Sequence, residues 1–272
     1  MRDLGNSLHL DIYTAQRNWV GPEWVDVHNS TGHDRLLYSK KGTGILKHHN
    51  STFQIEPGAY YLVPSNCHFA YRYDGPMDLC WVHFNTTYLG GINLFSIYEP
   101  PWLFHSEHPE IYDTLIDQLI ANFKLDESFS RRLERHAILL LFIKEFIKRA
   151  PPLSPHRNRK IDRMLPALRY VSDHLGEDLS VPRLAEICGL QRTRFSLAFK
   201  EAIGTAPAEY IRNKRIEAAQ RELLFTNKTL ESVASDVGLG DAYHFSRTFK
   251  RVTGSSPGTY RKAMKITTQA QQ

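Results

Sequence analysis

The chain has 272 residues, of which 42% are hydrophobic and 23% charged, and a formal net charge of +5. That length allows two ordinary domains with a core each, and the composition excludes wholesale disorder. The charge is uneven: residues 157–272 hold 20 Lys and Arg against 12 Asp and Glu, while residues 1–156 hold 14 against 17. A basic C-terminal part beside a slightly acidic N-terminal one points to a polyanion partner for the C-terminal part alone.

In chain order, the opening MRDLGNSLHL lacks the apolar core of a signal peptide. Residues 9–84 then read as short strands. RLLYSK (35–40), TGILKH (43–48), TFQIE (52–56), AYYLVP (59–64), HFAYRY (68–73) and DLCWVHF (78–84) are rich in β-branched and aromatic residues. Turn residues such as Gly42, Asn50, Pro57-Gly58, Ser65-Asn66 and Asp74-Gly75 separate them. The spacing predicts a small antiparallel barrel or jelly roll over about 9–105.

Alternation along EWVDVH (23–28) puts Trp24, Asp26 and His28 on one strand face, and along DLCWVHF it puts Leu79, Trp81 and His83 on another. Tryptophan beside hydrogen-bonding groups suits a sugar, whose ring offers an apolar face and a hydroxyl rim. Trp24, Asp26, His28, His68, Trp81 and His83 are therefore the expected effector-binding set. His48 and His49 are adjacent in a turn and point apart, and His68 with His83 is too few to hold a catalytic metal. No nucleophile elbow or phosphate loop is present. Neither a catalytic residue, a metal ligand nor a cofactor is expected, and Cys67, Cys80 and Cys188 show no ligand spacing.

Two helices are expected over about 108–149. Pro109 suits a first turn, with Tyr112, Leu115, Ile116, Leu119, Ile120 and Phe123 as the apolar stripe. The second, about 130–149, is apolar on more than one face, so either full burial or a second subunit covers it. Its run AILLLFI (137–143) is too short to span a bilayer, and a cytoplasmic protein without a membrane partner is expected. APPLSPHRNRK (150–160) reads as a linker over 151–160, dividing an effector and dimerisation domain (1–150) from a helical one (161–272). There Pro166 suits a first turn, with Leu168, Val171 and Leu175 inward and Gly176 closing the helix.

A repeat dominates the rest. CGLQRTRFSLAFKEAIGTAPAEYIR and VGLGDAYHFSRTFKRVTGSSPGTYR share Gly-Leu, Phe-Lys, Gly, Pro and Tyr in matching order. Ser180 and Thr229 are N-caps for helices of about eight residues ending at Gly189 and Gly238; Ala185 and Ala234 are the small residues that allow a close crossing. The second helices carry Phe195/Phe199 and Phe245/Phe249, which completes two helix-turn-helix motifs at about 180–202 and 229–252. Asp241 caps its helix well, whereas Gln191 is a weak cap. Pro207 opens a joining helix of roughly 19 residues, about 28 Å long, against the ~34 Å between successive major-groove faces of B-DNA.

Residues 160–264 resemble the DNA-binding domain of the AraC/XylS family of bacterial transcription regulators, carried by LAEICGLQRTRFSLAFKEAIGTAPAEYIRNKRIEAAQRELL and LESVASDVGLGDAYHFSRTFKRVTGSSPGTYR. Leu239-Gly240 departs from the family's aromatic-polar pair. EPGAYYLVPSNCHFAY followed by CWVHF resembles the family's cupin-like effector domain more weakly. The resemblance implies operator DNA, a small-molecule effector, a homodimer and RNA polymerase as partners. Helical projection leaves Arg192, Thr193, Ser196 and Leu197 toward the groove in the first motif, and Ala242, Tyr243, His244, Ser246 and Arg247 in the second. Arg194, Lys200 and Lys250 are expected on phosphates. A carbohydrate effector is the favoured expectation; a non-sugar metabolite, constitutive DNA binding, and a cupin metal enzyme tethered to DNA stay open.

Overall fold

The structure, a computed structural model, describes residues 8–21, 26–28, 32–48, 51–65, 67, 69–73, 75–88, 92–126, 128–152 and 154–262. Strands β1 (Leu8–Val20), β2 (Asp26–His28), β3 (Asp34–Lys41), β4 (Gly44–His48), β5 (Ser51–Ile55), β6 (Ala59–Val63), β7 (Phe69–Tyr73), β8 (Met77–Tyr88), β9 (Ile92–Asn93) and β10 (Leu103–His105) make two sheets. One runs β1-β8-β3-β6-β10 with β9 on β8, the other β2-β7-β4-β5, and every strand pairing is antiparallel.

Strand alternation divides the side chains between two cores. Leu37, Tyr61, Leu79 and Trp81 from the first sheet meet Leu46, Ile55, Phe69 and Tyr71 from the second inside the barrel. Their neighbours Leu36, Tyr38, Tyr60, Leu62, Cys80 and Val82 face outward, under two helices. These are α2 (Pro109–Phe123), with Pro109 in its first turn, and α3 (Phe129–Lys148), capped by Ser128. Ile116, Leu119 and Ile120 of α2 and Leu139, Phe142 and Phe146 of α3 seal that core. The Tyr60 ring stacks on Tyr38 at 4.5 Å and contacts Phe142 at 5.4 Å. Lys40 reaches Asp117 of α2 at 2.7 Å, fixing helix to sheet.

Four elements go beyond the sequence reading: the long β1, β9, the short helix α1 (Leu94–Tyr98) and β10. Two expectations are corrected. Helix α4 (Pro155–Asp173) starts inside the stretch read as linker, and Pro166 lies within the helix, not in its first turn. The helix tolerates it because Pro166 is exposed while Ile161, Met164, Ala167, Leu168 and Val171 are buried on the other side. The carbonyl that Pro166 deprives of a partner is thus on the wet side.

The remaining chain is helical: α5 (Val181–Ile187), α6 (Arg192–Ile203), α7 (Pro207–Phe225), α8 (Leu230–Asp236) and α9 (Ala242–Thr253). Each half has its own core, one around Phe195 and Phe199 with α4, the other around Phe245 and Phe249. Helix α7 contributes to both: Tyr210 and Ile211 to the first, Ile216, Ala219 and Leu223 to the second.

Candidate nucleic-acid interface and effector barrel

The two halves repeat each other to the level of single hydrogen bonds. Ser180 accepts from the Arg183 N–H and Thr229 from the Ser232 N–H, satisfying free donors at the starts of α5 and α8. At the other end Leu190 N donates to Ala185 O at 2.9 Å and Leu239 N to Ala234 O at 2.9 Å. Gly189 and Gly238 hold the left-handed φ of 64° and 70° that this Schellman turn requires. Ala185 and Ala234 are buried where the helices cross. Phe195–Phe199 and Phe245–Phe249 lie 5.5 and 5.6 Å apart, and each second ring meets a tyrosine, Tyr210 or Tyr260, at 5.4 or 5.3 Å. Gly240, the departure from the family pattern, also takes a positive φ of 74°, a conformation glycine adopts without strain.

The caps of the outer helices differ as the residues dictate. The Asp241 carboxylate accepts from His244 N at 2.8 Å, whereas Gln191 makes no side-chain cap bond. With the phenylalanines inward, Arg192, Thr193, Arg194, Leu197 and Lys200 of α6 are exposed, as are Tyr243, His244, Arg247 and Lys250 of α9; Ser196, Ala242 and Ser246 are half-buried. Leu197 and Tyr243 are 68% and 73% exposed, which puts apolar surface among the basic side chains of this face. Several other cations of this domain are paired: Lys160 with Glu201, Arg183 with Glu186, Lys214 with Glu217, Lys228 with Glu222 and Asp236. Arg192, Arg194, Lys200, Arg247 and Lys250 have no carboxylate partner among the described residues.

Local bonds orient several of these groups. His244 Nδ1 sits 2.9 Å from the Leu239 carbonyl, so Nδ1 donates to it and the ring is held against the turn. Ser196 Oγ donates to Arg192 O at 3.0 Å, which spends its proton on the helix. The Arg247 guanidinium carbon lies 5.8 Å from the Tyr243 ring centroid, one helical turn away.

The spacing of the two faces is also fixed. Arg215, midway along α7, donates from Nε to Leu175 O at 3.0 Å and from Nη2 to Glu177 O at 2.5 Å. A Cβ at Gly176 would fall 2.6 Å from Asp236 O, and one at Gly238 2.8 Å from Gly176 O. The halves therefore touch backbone to backbone.

In the barrel, Trp24 and His68 lie outside the described residues; Asp26 and His28 form β2, with their side chains also outside the description. Trp81 and His83 share the inner face of β8. Trp81 is 5% exposed, packed in the barrel core. His83 lies beside His33, ring centroids 4.5 Å apart, and opposite Arg35 in the β3–β8 register. Burial and the Arg35 charge push the His83 pKa well below the ordinary range, so the ring is neutral. His33 and Arg35, both buried, were missed in the sequence although HDRLLY alternates His33, Arg35 and Leu37 against Asp34, Leu36 and Tyr38. Asp34 faces the other way, accepting from Ser65 N at 2.7 Å, Thr86 N at 3.1 Å, Thr86 Oγ1 at 3.0 Å and Asn93 Nδ2 at 2.8 Å. Its pKa is nevertheless raised to about 6, because burial outweighs those four donors. Among the described residues no three His, Cys, Asp or Glu side chains gather as a metal ion would need.

Two family models match this chain: an AraC-like ligand binding domain over residues 24–143 and a helix-turn-helix domain over residues 184–263. The chain belongs to the AraC family. An HTH-type transcriptional regulator of Staphylococcus aureus strain MRSA252 is 25% identical over 247 residues, covering 85% of this chain and 32% of the relative. The chain thus spans about a third of the length of the staphylococcal relatives it matches. The MmsAB operon regulatory protein of Pseudomonas aeruginosa is 26% identical over 244 residues, covering 85% of this chain and 75% of that protein. In fold, the chain resembles unsaturated fatty acid-bound ToxT from Vibrio cholerae, with a TM-score of 0.57 at 14% identity over 96% of this chain and 97% of ToxT. The two-domain AraC architecture expected from the sequence is present, with a sheet-rich N-terminal domain and a helical one bearing two helix-turn-helix units.

Proposed function

We propose that this protein is a sequence-specific DNA-binding transcription regulator, controlled by a small effector held in the N-terminal barrel. The observation that carries the first half is the row of unpaired cations on α6 and α9, interleaved with exposed Leu197 and Tyr243. A solvated basic face needs no exposed leucine. A face that meets thymine methyls and phosphates together does. Arg192 and Arg247 donate to base edges, Thr193 and Leu197 touch methyl groups, and Arg194, Lys200 and Lys250 hold the backbone. The protein works in the cytoplasm, acts as a homodimer through α3, and meets RNA polymerase at the promoter. The residue types of the set expected from the sequence, Trp24, Asp26, His28, His68, Trp81 and His83, suit a polyhydroxylated ligand; ToxT, of the same fold, holds a fatty acid.

Selection of duplexes from a random pool tests the DNA reading. Enrichment of one sequence, with binding that weakens steeply as salt rises, is expected. A pool that stays random through repeated rounds contradicts it.

A further inference from the structure

The barrel interior holds a positive charge that no carboxylate among the described residues neutralises. Arg35 is 2% exposed. A guanidinium carries five N–H donors and does not give up its proton. Arg35 spends one: Nε donates to His33 Nε2 at 3.3 Å, while its Cζ lies 4.8 Å from the Phe69 ring centroid. No carboxylate among the described residues pairs with it. The adjacent Asp34 points to the opposite face and is spent on Ser65, Thr86 and Asn93.

The same sheet shows what a structural arginine looks like here. Arg17 grips Asp78 with two bonds, Nε at 2.8 Å and Nη2 at 2.6 Å. Arg35 has no such counter-ion among the described residues, and burying an unpaired charge opposes folding. Its surroundings also set the charge of what it would receive. His33 accepts from Arg35 and is therefore neutral; His83, against His33, is held neutral by burial and by Arg35 itself. One cation flanked by two neutral imidazoles matches a single negative charge, and the guanidinium fork matches the two oxygens of a carboxylate.

We propose that the effector carries a carboxylate, seated on the Nη edge of Arg35 beside His33 and His83. In the carbohydrate reading this makes it a sugar acid, not a neutral sugar. The proposal rests on the barrel being the effector site, and Trp81 and Phe69 then flank the body of the ligand.

Thermal unfolding of the full chain tests it, with galacturonate and glucuronate, the neutral galactose and glucose, and benzoate and butyrate as carboxylates without a sugar. At least one acid is expected to raise Tm by roughly 3 °C or more at saturation, its neutral counterpart to do nothing, and Arg35→Gln to lose the shift. Uronates acting alone identify a sugar acid; benzoate or butyrate acting identifies a non-sugar acid. Without ligand, Arg35→Gln and Arg35→Met, which keeps the stem over Phe69, are expected to melt no lower than wild type, since both remove an unpaired charge. A neutral sugar that stabilises both wild type and Arg35→Gln overturns the carboxylate and leaves the barrel reading standing. No shift from any of the four acids, or two variants that both fail to fold, also overturns it. Failure of the regulator reading would show separately, as wild-type protein that selects no duplex.

Discussion

At the residue scale, the proposed division of the outward side chains of α6 and α9 into readers and holders has measurable consequences. Arg247 is braced by Tyr243 and free of any carboxylate among the described residues. Arg247→Ala is expected to cost about 1–3 kcal/mol on the selected duplex and far less on a scrambled one. Lys250→Ala should weaken both alike and lower the salt slope by about one. Competition titrations at several salt concentrations separate the two, and equal losses for Arg247→Ala on both duplexes count against base reading. Asp34 makes a different prediction. Its folded pKa of about 6 exceeds its ordinary value, so the folded state binds this proton more tightly. The stability it contributes is fully present below about pH 4 and lost as pH rises through about 6, roughly 3 kcal/mol in all. The gap between wild type and Asp34→Asn in melts from pH 4 to 7 should change by that amount; parallel profiles would contradict it. The exposed faces of α6 and α9 were legible in the sequence because phenylalanines four apart fix which side is inward. Arg35 and His33 were not, because in a strand buried on both faces a charged residue looks like any other alternate position until its missing counter-ion is seen.

At the element scale, the C-terminal helices were the most legible part, since Ser180, Thr229 and Asp241 mark starts by side-chain hydrogen bonds and Gly189 and Gly238 mark stops by their left-handed φ. Helix α4 was misjudged because proline rules describe the backbone and not its surroundings: Pro166 is harmless on an exposed face. β1 escaped notice because its alternating burial mixes half-exposed residues; only its pairing with β8 along nearly its whole length makes it a strand. β9 and β10 are too short to carry a pattern and exist through their partners β8 and β6. Helix α3 resolves one open alternative in part. Ile138, Leu139, Phe142, Ile143 and Phe146 are buried against the barrel, while Phe129, Leu133, Leu140 and Leu141 remain exposed along the other side. An apolar stripe of this kind fits a subunit interface. Leu133→Glu with Leu140→Glu should convert the proposed dimer to a monomer in sedimentation equilibrium, with an unchanged far-UV spectrum. A species of unchanged mass would remove α3 from the interface.

At the scale of the whole molecule, the barrel and the reading heads are packed together through α7. A Cβ at Gly32 would fall 2.4 Å from Gln220 Oε1 and 2.9 Å from the Glu217 Cα, so this point of the barrel lies directly on the helix that joins the two heads. Beside it Asn85 and Thr87 of β8 face Tyr210, Lys214 and Arg221 of α7 across a cavity of about 110 Å³. The residue after Gly32 is His33, neighbour of Arg35 and His83. A ligand at that end of the barrel therefore acts one residue away from the contact with α7. Coupling is reciprocal: an effector that changes operator affinity has its own affinity changed by operator to the same degree. Gly32→Val should bring the ratio of operator Kd with and without effector close to one while each ligand still binds; a ratio like that of wild type would place the coupling elsewhere. None of this packing could be read from the sequence, because a glycine in a loop gives no sign of what presses against it.

One chain is expected to read two adjacent major-groove segments with two unlike heads held at fixed spacing by α7 and the Gly176–Gly238 contact. Methylation-interference footprinting on the selected duplex tests it most directly. Two interfered segments about one helical turn apart per protomer are expected, the one lost in Arg192→Ala differing from the one lost in Arg247→Ala. A single segment, or the same segment lost in both variants, would contradict the claim.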